Sequence, residues 1–462
     1  MWRKQRAQAP DNARMKPPPL RYVRPASLSE ALELLDPGSR PLAGGQSLMP
    51  LINLRRRRVQ RLVDLGAIAE LQTVDVAPDG ELTIGASVTM ARLEGDADVR
   101  ARTPLLLDAL HLVANPQVRA RGTLGGNLAH GDPVSELATA LAALGATVIV
   151  AGPGGERFDA VASLRLRDDE LLVAVRIPGL PDEHGWAIQE VAPRFAGRAL
   201  AVACAMVPRP GHLDGARVAV GGLAARVAAL DGLDALGGVS PDDEMVPAAV
   251  CDAVSRLTAA PDPRADEAYR REVTVELAVR ALRDAARGTQ RVDRAPAASV
   301  PPGAEAPAAP MTERDSPVEL ALTVNGRTAR VVTEPRTLLS DLLRTELGLS
   351  ATHVGCEHGV CGACNVLLDG VAVRSCLLLA LQADGAEVQT LEGLRDTAEV
   401  RELAEAFVRG HGLQCGFCTP GFMVTLAELR RRGAPVTAEA LVGNLCRCTG
   451  YAPILQAAES RQ

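Results

Sequence analysis

The sequence is poor in lysine and in aromatic residues. Its 462 residues include two lysines, Lys4 and Lys16, and aromatic residues make up 2% of the chain. P-loop NTPases and Schiff-base enzymes both need a lysine inside the fold, so these two classes are excluded. The shortage of aromatic side chains excludes a base-stacking platform for nucleic acid. The formal net charge of −6 likewise argues against a nucleic-acid partner.

Long apolar runs are also missing. The longest mostly apolar stretch without a charge covers residues 137–151, which is shorter than the roughly 20 residues that cross a bilayer as a helix. Residues 1–14 are polar and lack the apolar centre of a secretory signal. We therefore expect no transmembrane segment and a cytoplasmic location.

Cysteine is the residue type with the most informative distribution. Of the ten cysteines, eight fall between residues 356 and 448. Clustered thiols in a reducing compartment favour ligation of a metal or cluster over disulfides. The other two, Cys204 and Cys251, have apolar sequence neighbours and are predicted to be buried structural thiols.

A segment rich in Ala and Pro, residues 295–310, divides the chain. Apart from Val300 it contains no large aliphatic residue, so it cannot form a core and is predicted to be a semi-rigid linker. An alternation of apolar and polar residues resumes at Val318. The sequence therefore indicates two formerly separate subunits joined by a linker.

Short strand-like and helix-like stretches occur on both sides of the linker, which predicts an α+β multidomain protein. Two hairpin turns are expected, at Gly152-Pro-Gly-Gly155 and at Asp369-Gly370. Ser27 and Glu30 form a capping box that predicts a helix start. Further helices are predicted over residues 103–113, 135–144, 263–286, 400–410, 420–432 and 437–445, and from Ala452 onward.

The first cysteine set has the spacing C-x4-C-x2-C-x11-C and consists of Cys356, Cys361, Cys364 and Cys376. This is the spacing of a plant-type [2Fe–2S] site. Such a cluster needs two thiolates on each iron and N–H donors near its sulfides, and three glycines between 355 and 362 would let backbone amides approach. A structural zinc site is the alternative, although zinc usually takes two short Cys pairs.

The second set has the spacing C-x2-C-x27-C-x-C and consists of Cys415, Cys418, Cys446 and Cys448. On a helix, Cys446 and Cys448 would point to nearly opposite sides, so the backbone there must be extended or turning. Pro420 predicts a helix start beside Cys418, where the positive helix end would stabilise thiolates. On spacing alone, a zinc site stays open.

Two Gly-Gly loops are candidate phosphate sites, Ala43-Gly-Gly-Gln-Ser-Leu48 and Gly122-Thr-Leu-Gly-Gly-Asn127. Consecutive amides in such loops can point at a phosphate, and Ser47 and Asn127 would add side-chain donors. Most Gly-Gly pairs are simple turns, and that alternative stays open on the loops alone.

The sequence around the cysteines resembles the iron–sulfur subunit of the molybdenum hydroxylases, the family of xanthine dehydrogenase, aldehyde oxidoreductase and molybdenum-type carbon monoxide dehydrogenase. The resemblance covers about residues 318–457 and is carried by Val354-Gly-Cys-Glu-His-Gly-Val-Cys-Gly-Ala-Cys364, Gln414-Cys-Gly-Phe-Cys-Thr-Pro-Gly421 and Gly443-Asn-Leu-Cys-Arg-Cys-Thr-Gly-Tyr451. It implies a β-grasp ferredoxin domain for the first set and a four-helix domain for the second. It also implies that Gln414 contacts the molybdopterin of a partner subunit.

Upstream, the two glycine loops and the segment Arg121-Gly-Thr-Leu-Gly-Gly-Asn-Leu-Ala-His-Gly-Asp-Pro133 resemble the FAD subunit of the same hydroxylases. The resemblance covers about residues 15–286 and implies a two-part FAD-binding flavoprotein module. The diphosphate would lie on the loops, and Asp132 would accept hydrogen bonds from flavin hydroxyls. The residues expected to bind FAD are Ala43, Gly44, Gly45, Gln46, Ser47, Leu48, Thr123, Gly125, Gly126, Asn127 and Asp132.

One departure from the family pattern falls in the flavin module. After Arg194 the family usually has Gly-Asp-aromatic, whereas this chain has Gly197-Arg-Ala-Leu200. Arg198 reverses the charge at this place, which leaves the flavin potential and the access of the electron acceptor open.

The resemblance divides the chain into six parts. These are a disordered extension (1–14), an FAD-binding domain (15–183), a flavoprotein C-terminal domain (184–287), an Ala/Pro-rich linker (288–316), a plant-type [2Fe–2S] ferredoxin domain (317–393) and a helical [2Fe–2S]-binding domain (394–462).

The expected cofactors are FAD and two [2Fe–2S] clusters. Each cluster carries one electron at a time, whereas a flavin accepts one or two. Together the three cofactors would convert between two-electron and one-electron transfer. We expect an electron-transfer component of an oxidoreductase, without catalytic residues of its own. Electrons would pass from a separate molybdopterin-containing large subunit through the second and then the first cluster to FAD and an acceptor (NAD, a quinone or oxygen).

The assembly would be heteromeric, a dimer of heterodimers being one form. Two alternatives remain on sequence grounds. One is a stand-alone NAD(P)H-dependent flavin and iron–sulfur reductase, and the other is a zinc-stabilised interaction module.

Overall fold

The computed structural model describes residues 16–288 and 309–459. The predicted N-terminal extension and the centre of the predicted linker, residues 289–308, lie outside the described residues. The described chain forms four sheets surrounded by helices and ends in a group of helices. This agrees with the predicted α+β multidomain class.

The N-terminal region contributes three parallel strands of one sheet, a complete five-stranded antiparallel sheet in the order β4-β5-β8-β6-β7, and eight helices. Its elements are β1 (Arg21–Arg24), α1 (Leu28–Glu33), β2 (Ser39–Leu42), α2 (Leu48–Asn53), β3 (Arg61–Asp64), β4 (Val74–Val76), β5 (Leu82–Gly85), α3 (Met90–Gly95), α4 (Ala97–Arg102), α5 (Pro104–Leu112), α6 (Pro116–Arg119), α7 (Leu124–His130), α8 (Glu136–Ala143), β6 (Thr147–Gly152), β7 (Gly155–Ala160) and β8 (Leu171–Ile177).

Local sequence signals explain several element ends. The Ser27 side chain accepts a hydrogen bond from the Glu30 amide and caps α1, as the capping box predicts. The predicted turn at residues 152–155 joins β6 to β7, and Gly155 takes the positive φ of 95° that this turn requires. The predicted helices at 103–113 and 135–144 form as α5 and α8.

The next region holds an antiparallel sheet in the order β12-β11-β10-β9, followed by two helices. Its elements are β9 (Gly185–Val191), β10 (Ala201–Val207), β11 (Arg217–Gly221), β12 (Ala228–Ala229), α9 (Met245–Ser255) and α10 (Glu267–Ala286). Every residue of β10 is buried, because α8 packs on one face of the strand and α10 on the other. A strand covered on both faces reads as a continuous apolar run.

Residues after the linker form a mixed sheet in the order β15-β14-β18-β16-β17, as a β-grasp domain requires. Its elements are β13 (Met311–Arg314), β14 (Val318–Val324), β15 (Arg327–Thr333), α11 (Leu339–Asp341, continued by a wider turn over Leu342–Glu346), β16 (Asn365–Leu368), β17 (Val371–Arg374) and β18 (Glu387–Gln389). The predicted turn at Asp369-Gly370 joins β16 to β17. Both turn residues have positive φ (49° and 84°), as the favoured two-residue hairpin turn demands.

The chain ends in α12 (Leu391–Leu394), α13 (Ala398–Arg409), α14 (Thr419–Arg431) and α15 (Ala452–Glu459). The helix predicted over residues 437–445 does not form, and turns take its place. Two backbone groups near the end of this segment bond to the neighbouring domain instead. The Gly443 carbonyl accepts from Arg374 Nη2 at 2.6 Å, and the Leu445 amide donates to the Cys361 carbonyl at 2.9 Å.

The predicted flavin module (residues 16–288) and the predicted ferredoxin module that follows the linker are packed against each other. Strand β13, which lies inside the predicted linker range, pairs antiparallel with β1 and extends the first sheet of the flavin module. Glu313 on this strand forms ion pairs with Arg21 and Arg61. One hydrophobic core contains Tyr22 and Ile52 from the first module together with Leu320 and other residues from the second.

Among residues 16–288 and 309–459, no helix combines the length and apolarity needed to span a membrane.

Candidate functional site

The two glycine loops touch each other. A methyl group added at Gly44 would lie 2.0 Å from the carbonyl oxygen of Arg121, directly before the second loop. One added at Gly125 would lie 2.5 Å from Cβ of Ala86. Both positions therefore need glycine because other parts of the backbone approach closely.

The loops differ in which amides they offer. In the first loop, Gly45 has a φ of 73°, and among the described residues the amides of 45–47 donate no hydrogen bond within the protein. In the second loop, the Gly126 amide donates to Thr123 Oγ1 and the Gly125 amide to the Ala86 carbonyl. The first loop therefore presents free amides for a phosphate, whereas these two amides of the second loop cap α7 and join it to a strand.

A cavity of about 710 Å³ lies between the loops, which is the size range of cofactor pockets. All eleven residues expected to bind FAD line this one cavity. They come from two separate segments of the sequence, residues 43–48 and 123–132, which the fold brings together. His358, Gly359 and Val360 of the first cysteine loop form part of the wall.

Asp132 does not stand free in this cavity. Its carboxylate accepts two hydrogen bonds from Arg198, from Nε at 2.9 Å and from Nη2 at 2.8 Å. Burial alone would raise the pKa of Asp132, but the hydrogen bonds from Arg198 lower it overall. The residue expected to meet flavin hydroxyls is thus also the partner of the unusual arginine.

Glu136, the first residue of α8, also lines the cavity, and sequence reasoning missed it. Burial raises the pKa of this carboxyl to about 8, and the neighbouring acids Glu190 and Asp132 add to the effect. A glutamate at the start of a helix resembles an ordinary N-terminal acid in sequence, so only its burial marks it.

The first cysteine set is assembled in the ferredoxin domain, with Cys364 and Cys376 buried. Sulfur contacts join Cys356 to Cys361 and Cys364 to Cys376, with a further contact between Cys356 and Cys376. The first two contacts divide the four thiols into the two pairs that two irons require.

Arg374 supports this loop and was also missed by sequence reasoning. Its guanidinium is buried and donates from Nε to the Gly359 carbonyl at 2.9 Å. It also donates to Asn115 of the flavin module and to Gly443 of the helical region. The positive charge lowers the pKa of Cys364, secondary to the contact with Cys376. One side chain therefore joins three regions beside the first cysteine set.

The second set lies at the surface, with Cys415 and Cys448 exposed. The sulfurs of these two cysteines are 3.5 Å apart, and Cys418 contacts Cys446. The set again divides into two pairs. As predicted, α14 starts next to Cys418 with a proline in its first turn, and residues 445–451 are not helical.

The donor sets fit two-iron clusters, which need two thiolates on each iron. The eight thiols form two sets of two contacting pairs, and thiolate sulfur is the usual ligand of both [2Fe–2S] clusters and zinc.

The two cysteines outside these sets differ in burial. Cys204 is buried as expected, whereas the prediction for Cys251 was wrong, because this thiol is exposed on α9.

Comparison with protein families accounts for both modules. Four family models match the chain: the FAD binding domain in molybdopterin dehydrogenase (17–180), the CO dehydrogenase flavoprotein C-terminal domain (189–285), a 2Fe-2S iron-sulfur cluster binding domain (322–392) and a [2Fe-2S] binding domain (390–459).

Individual relatives match one module each. The nicotine 6-hydroxylase small subunit of Paenarthrobacter nicotinovorans is 51% identical over 144 residues, which are 30% of this chain and 87% of that subunit. The caffeine dehydrogenase subunit beta of Pseudomonas sp. (strain CBB1) is 39% identical over 219 residues, 45% of this chain and 74% of that subunit. The chain belongs to the molybdenum hydroxylase family.

Solved structures agree with the assignment of this chain to the molybdenum hydroxylase family. A carbon monoxide dehydrogenase structure from Hydrogenophaga pseudoflava aligns with 58% of this chain and 98% of its own, at 32% identity and a TM-score of 0.55. Quinoline 2-oxidoreductase from Pseudomonas putida 86 aligns with 59% and 98%, at 33% identity and a TM-score of 0.54. This molybdenum hydroxylase chain is therefore an oxidoreductase chain with an FAD-binding domain and two distinct [2Fe–2S] domains, and its cofactors are FAD and two [2Fe–2S] clusters.

Proposed function

We propose that this chain is an electron-transfer component that takes electrons from a separate molybdopterin subunit. Electrons would pass through the cluster on Cys415, Cys418, Cys446 and Cys448, then through the cluster on Cys356, Cys361, Cys364 and Cys376, and then to FAD. The flavin would pass them to an external acceptor (NAD, a quinone or oxygen). The eleven cavity residues would hold the flavin cofactor.

The observation that carries this proposal is the shared wall between the first cysteine loop and the flavin cavity. Gly359 and Val360 line the cavity that the glycine loops enclose. From the first glycine loop, the six-residue helix α2 runs to Asn53, whose Nδ2 donates to the carbonyl of Cys376, a predicted cluster ligand, at 3.1 Å. A helix of that length spans about 9 Å. A cluster and a flavin held this way would be direct neighbours, which supports an electron relay.

The second cysteine set has the surroundings of a docking face. Three large apolar side chains are exposed around it: Leu413, Phe417 and Tyr451. The ring of His353 stacks on Phe417 with centroids 4.8 Å apart, which holds the exposed ring in place. Apolar groups presented together on a surface mark an interaction site. This supports a partner that covers the second cluster.

Gln414 lies inside this face. Its Nε2 donates to the Cys448 carbonyl at 3.2 Å, and the residue is exposed. It would therefore be available to contact a cofactor of the docked subunit. Relatives described as a hydroxylase small subunit and a dehydrogenase subunit beta support assignment of this chain to a multi-subunit enzyme.

The cluster assignment is tested by single Cys→Ser variants of the full chain, purified without oxygen. The unaltered chain should contain about four irons, two per cluster, and two distinct resonance signals after reduction. Cys376→Ser should remove one signal and Cys446→Ser the other, while FAD stays bound in both. Cys251→Ser is the matched control, because this exposed thiol belongs to neither set, and it should keep both signals. Zinc in place of iron would contradict the proposal.

The relay is tested with a tagged chain isolated from its own host. A molybdopterin-containing subunit should copurify, and its substrate should reduce the flavin. Phe417→Asp should weaken this copurification while both cluster signals remain. Isolation without molybdenum, combined with rapid oxidation of NADH or NADPH by the chain alone, would instead support a stand-alone reductase.

A further inference from the structure

A salt bridge joins two regions of the flavin module at the cavity wall. Asp132 lies in the loop between α7 and α8, and Arg198 lies between β9 and β10. Two parallel hydrogen bonds connect them, at 2.8 and 2.9 Å, and both residues line the cavity. Paired bonds of this kind fix the position of both groups.

The arginine is held on its backbone side as well. Arg264 donates from Nη1 to the carbonyls of Arg198 and Ala199, at 3.3 and 2.7 Å. Arg264 is itself paired with Asp262 at 2.7 Å. The loop that carries Arg198 is thus tied down independently of the salt bridge, so removal of Asp132 would leave the positive charge beside the cavity.

Other ionisable side chains also line this cavity. His130, Glu136 and Arg194 line it together with the pair. Glu136 responds to the pair, because Asp132 raises the pKa of its carboxyl and Arg198 lowers it. This response opposes the shift that each single variant causes and does not change its sign.

We propose that Asp132 and Arg198 are a matched charge pair whose fields at the flavin largely cancel, so that neither charge alone displaces the midpoint potential of the flavin. This inference rests on the proposed function, because it takes the cavity to hold FAD. Reduction of FAD by two electrons, which would arrive singly from the clusters, and one proton from solvent would give the anion FADH− and so add one negative charge. A nearby negative charge therefore makes reduction harder and a nearby positive charge makes it easier.

A compensating charge pair predicts that the two single variants shift the midpoint potential of the flavin in opposite directions. Arg198→Gln leaves the Asp132 carboxylate uncompensated, so the midpoint potential should fall. Asp132→Asn leaves the guanidinium uncompensated, so the potential should rise. The double variant should return close to the unaltered value. A purely structural role would shift both single variants in the same direction.

The experiment is a spectroelectrochemical titration of the flavin in the full chain, after the FAD content of each variant has been measured. Arg198→Lys is the matched control, since it keeps the charge and should keep the potential near that of the unaltered chain. The side chains are 49% and 25% exposed, so high salt should reduce both shifts. Shifts of equal sign, or none, would overturn the inference.

The experiment still tests the charge pair if one of the variants loses FAD. If the unaltered chain binds no FAD, the proposed function fails rather than the charge pair. If only Asp132→Asn loses FAD, the comparison of Arg198→Gln with Arg198→Lys decides. A lower potential in the glutamine variant alone supports the charge pair, and equal potentials contradict it.

Discussion

Asn53 of the flavin module donates its side-chain amide to the carbonyl oxygen of Cys376, a predicted ligand of the first cluster, at 3.1 Å. The same Nδ2 group donates to the carbonyl of Glu357 at 2.9 Å. Asn53 is fully buried, so these bonds form away from water. The end of α2 and the first cysteine loop are therefore fixed to each other, and the proposed transfer between cluster and flavin would depend on this contact.

Asn53→Ala should destabilise the contact between the modules. The two carbonyls would lose their donor in a buried place, at a cost of about 1–3 kcal/mol each. We expect a lower free energy of unfolding in urea and an altered resonance signal of the first cluster. Gln189→Ala, which removes a hydrogen bond to Asp284 within the flavin module, should leave that signal unchanged. An unchanged signal in Asn53→Ala would contradict the contact.

Gly44→Ala should prevent normal closure of the two glycine loops. The added methyl group would lie 2.0 Å from the backbone carbonyl of Arg121, which cannot move aside as a flexible side chain could. We expect loss of most bound FAD and a lower melting temperature. Gly154→Ala is the control, because a methyl group there meets nothing within 4 Å. Equal FAD content in the two variants would contradict this prediction, because it would show that FAD still binds when the added methyl group pushes the two loops apart.

Arg374→Met should loosen all three regions that the guanidinium joins. The carbonyls of Gly359 and Gly443 and the side chain of Asn115 would lose a donor, a change that costs about 1–3 kcal/mol for each buried acceptor left unsatisfied. Arg395→Met removes an arginine whose side chain is 70% exposed and should have little effect. Chemical unfolding monitored through both cluster signals would measure the difference. A difference below 1 kcal/mol would contradict the role of Arg374.

Signals contained in a few neighbouring residues predicted local structure well. The N-cap at Ser27, the Asp369-Gly370 turn and the proline after Cys418 each act within one turn of chain, and each formed as expected. The other half of the capping box did not form, because the Glu30 carboxylate accepts from the Ala26 amide and not from Ser27. The cysteine spacings likewise placed four thiols together twice. In these cases the chemistry that decides the structure lies in the motif itself.

Contacts between distant segments were not predictable in this way. Residues 437–445 have a helical pattern, but they form turns in which backbone groups bond to Arg374 and to the Cys361 carbonyl. Cys251 has apolar sequence neighbours, yet on α9 it points away from the buried face formed by Val250 and Val254. Strand β13 follows the Ala/Pro-rich segment, and only the free edge of β1, some 290 residues earlier, makes it a strand.

Glu136 should make the stability of the chain fall as pH rises. Its pKa is about 8 when folded, against an ordinary value of 4.5 in the unfolded chain. Between these values the folded state binds more protons than the unfolded state, so the free energy of unfolding decreases as pH increases. Glu136→Gln removes this titration. The variant should match the unaltered chain near pH 4.5 and exceed it increasingly toward pH 8, by up to about 5 kcal/mol.

The measurement is the melting temperature of both FAD-free proteins across that pH range. Glu183→Gln, an exposed glutamate in the same module, is the control and should follow the unaltered chain at every pH. The gap between Glu136→Gln and the unaltered chain should open with rising pH and become constant above about pH 8. A constant gap at all pH values would mean that Glu136 contributes through packing alone. A gap that opens would show that the flavin cavity contains a carboxyl group able to hold a proton at neutral pH.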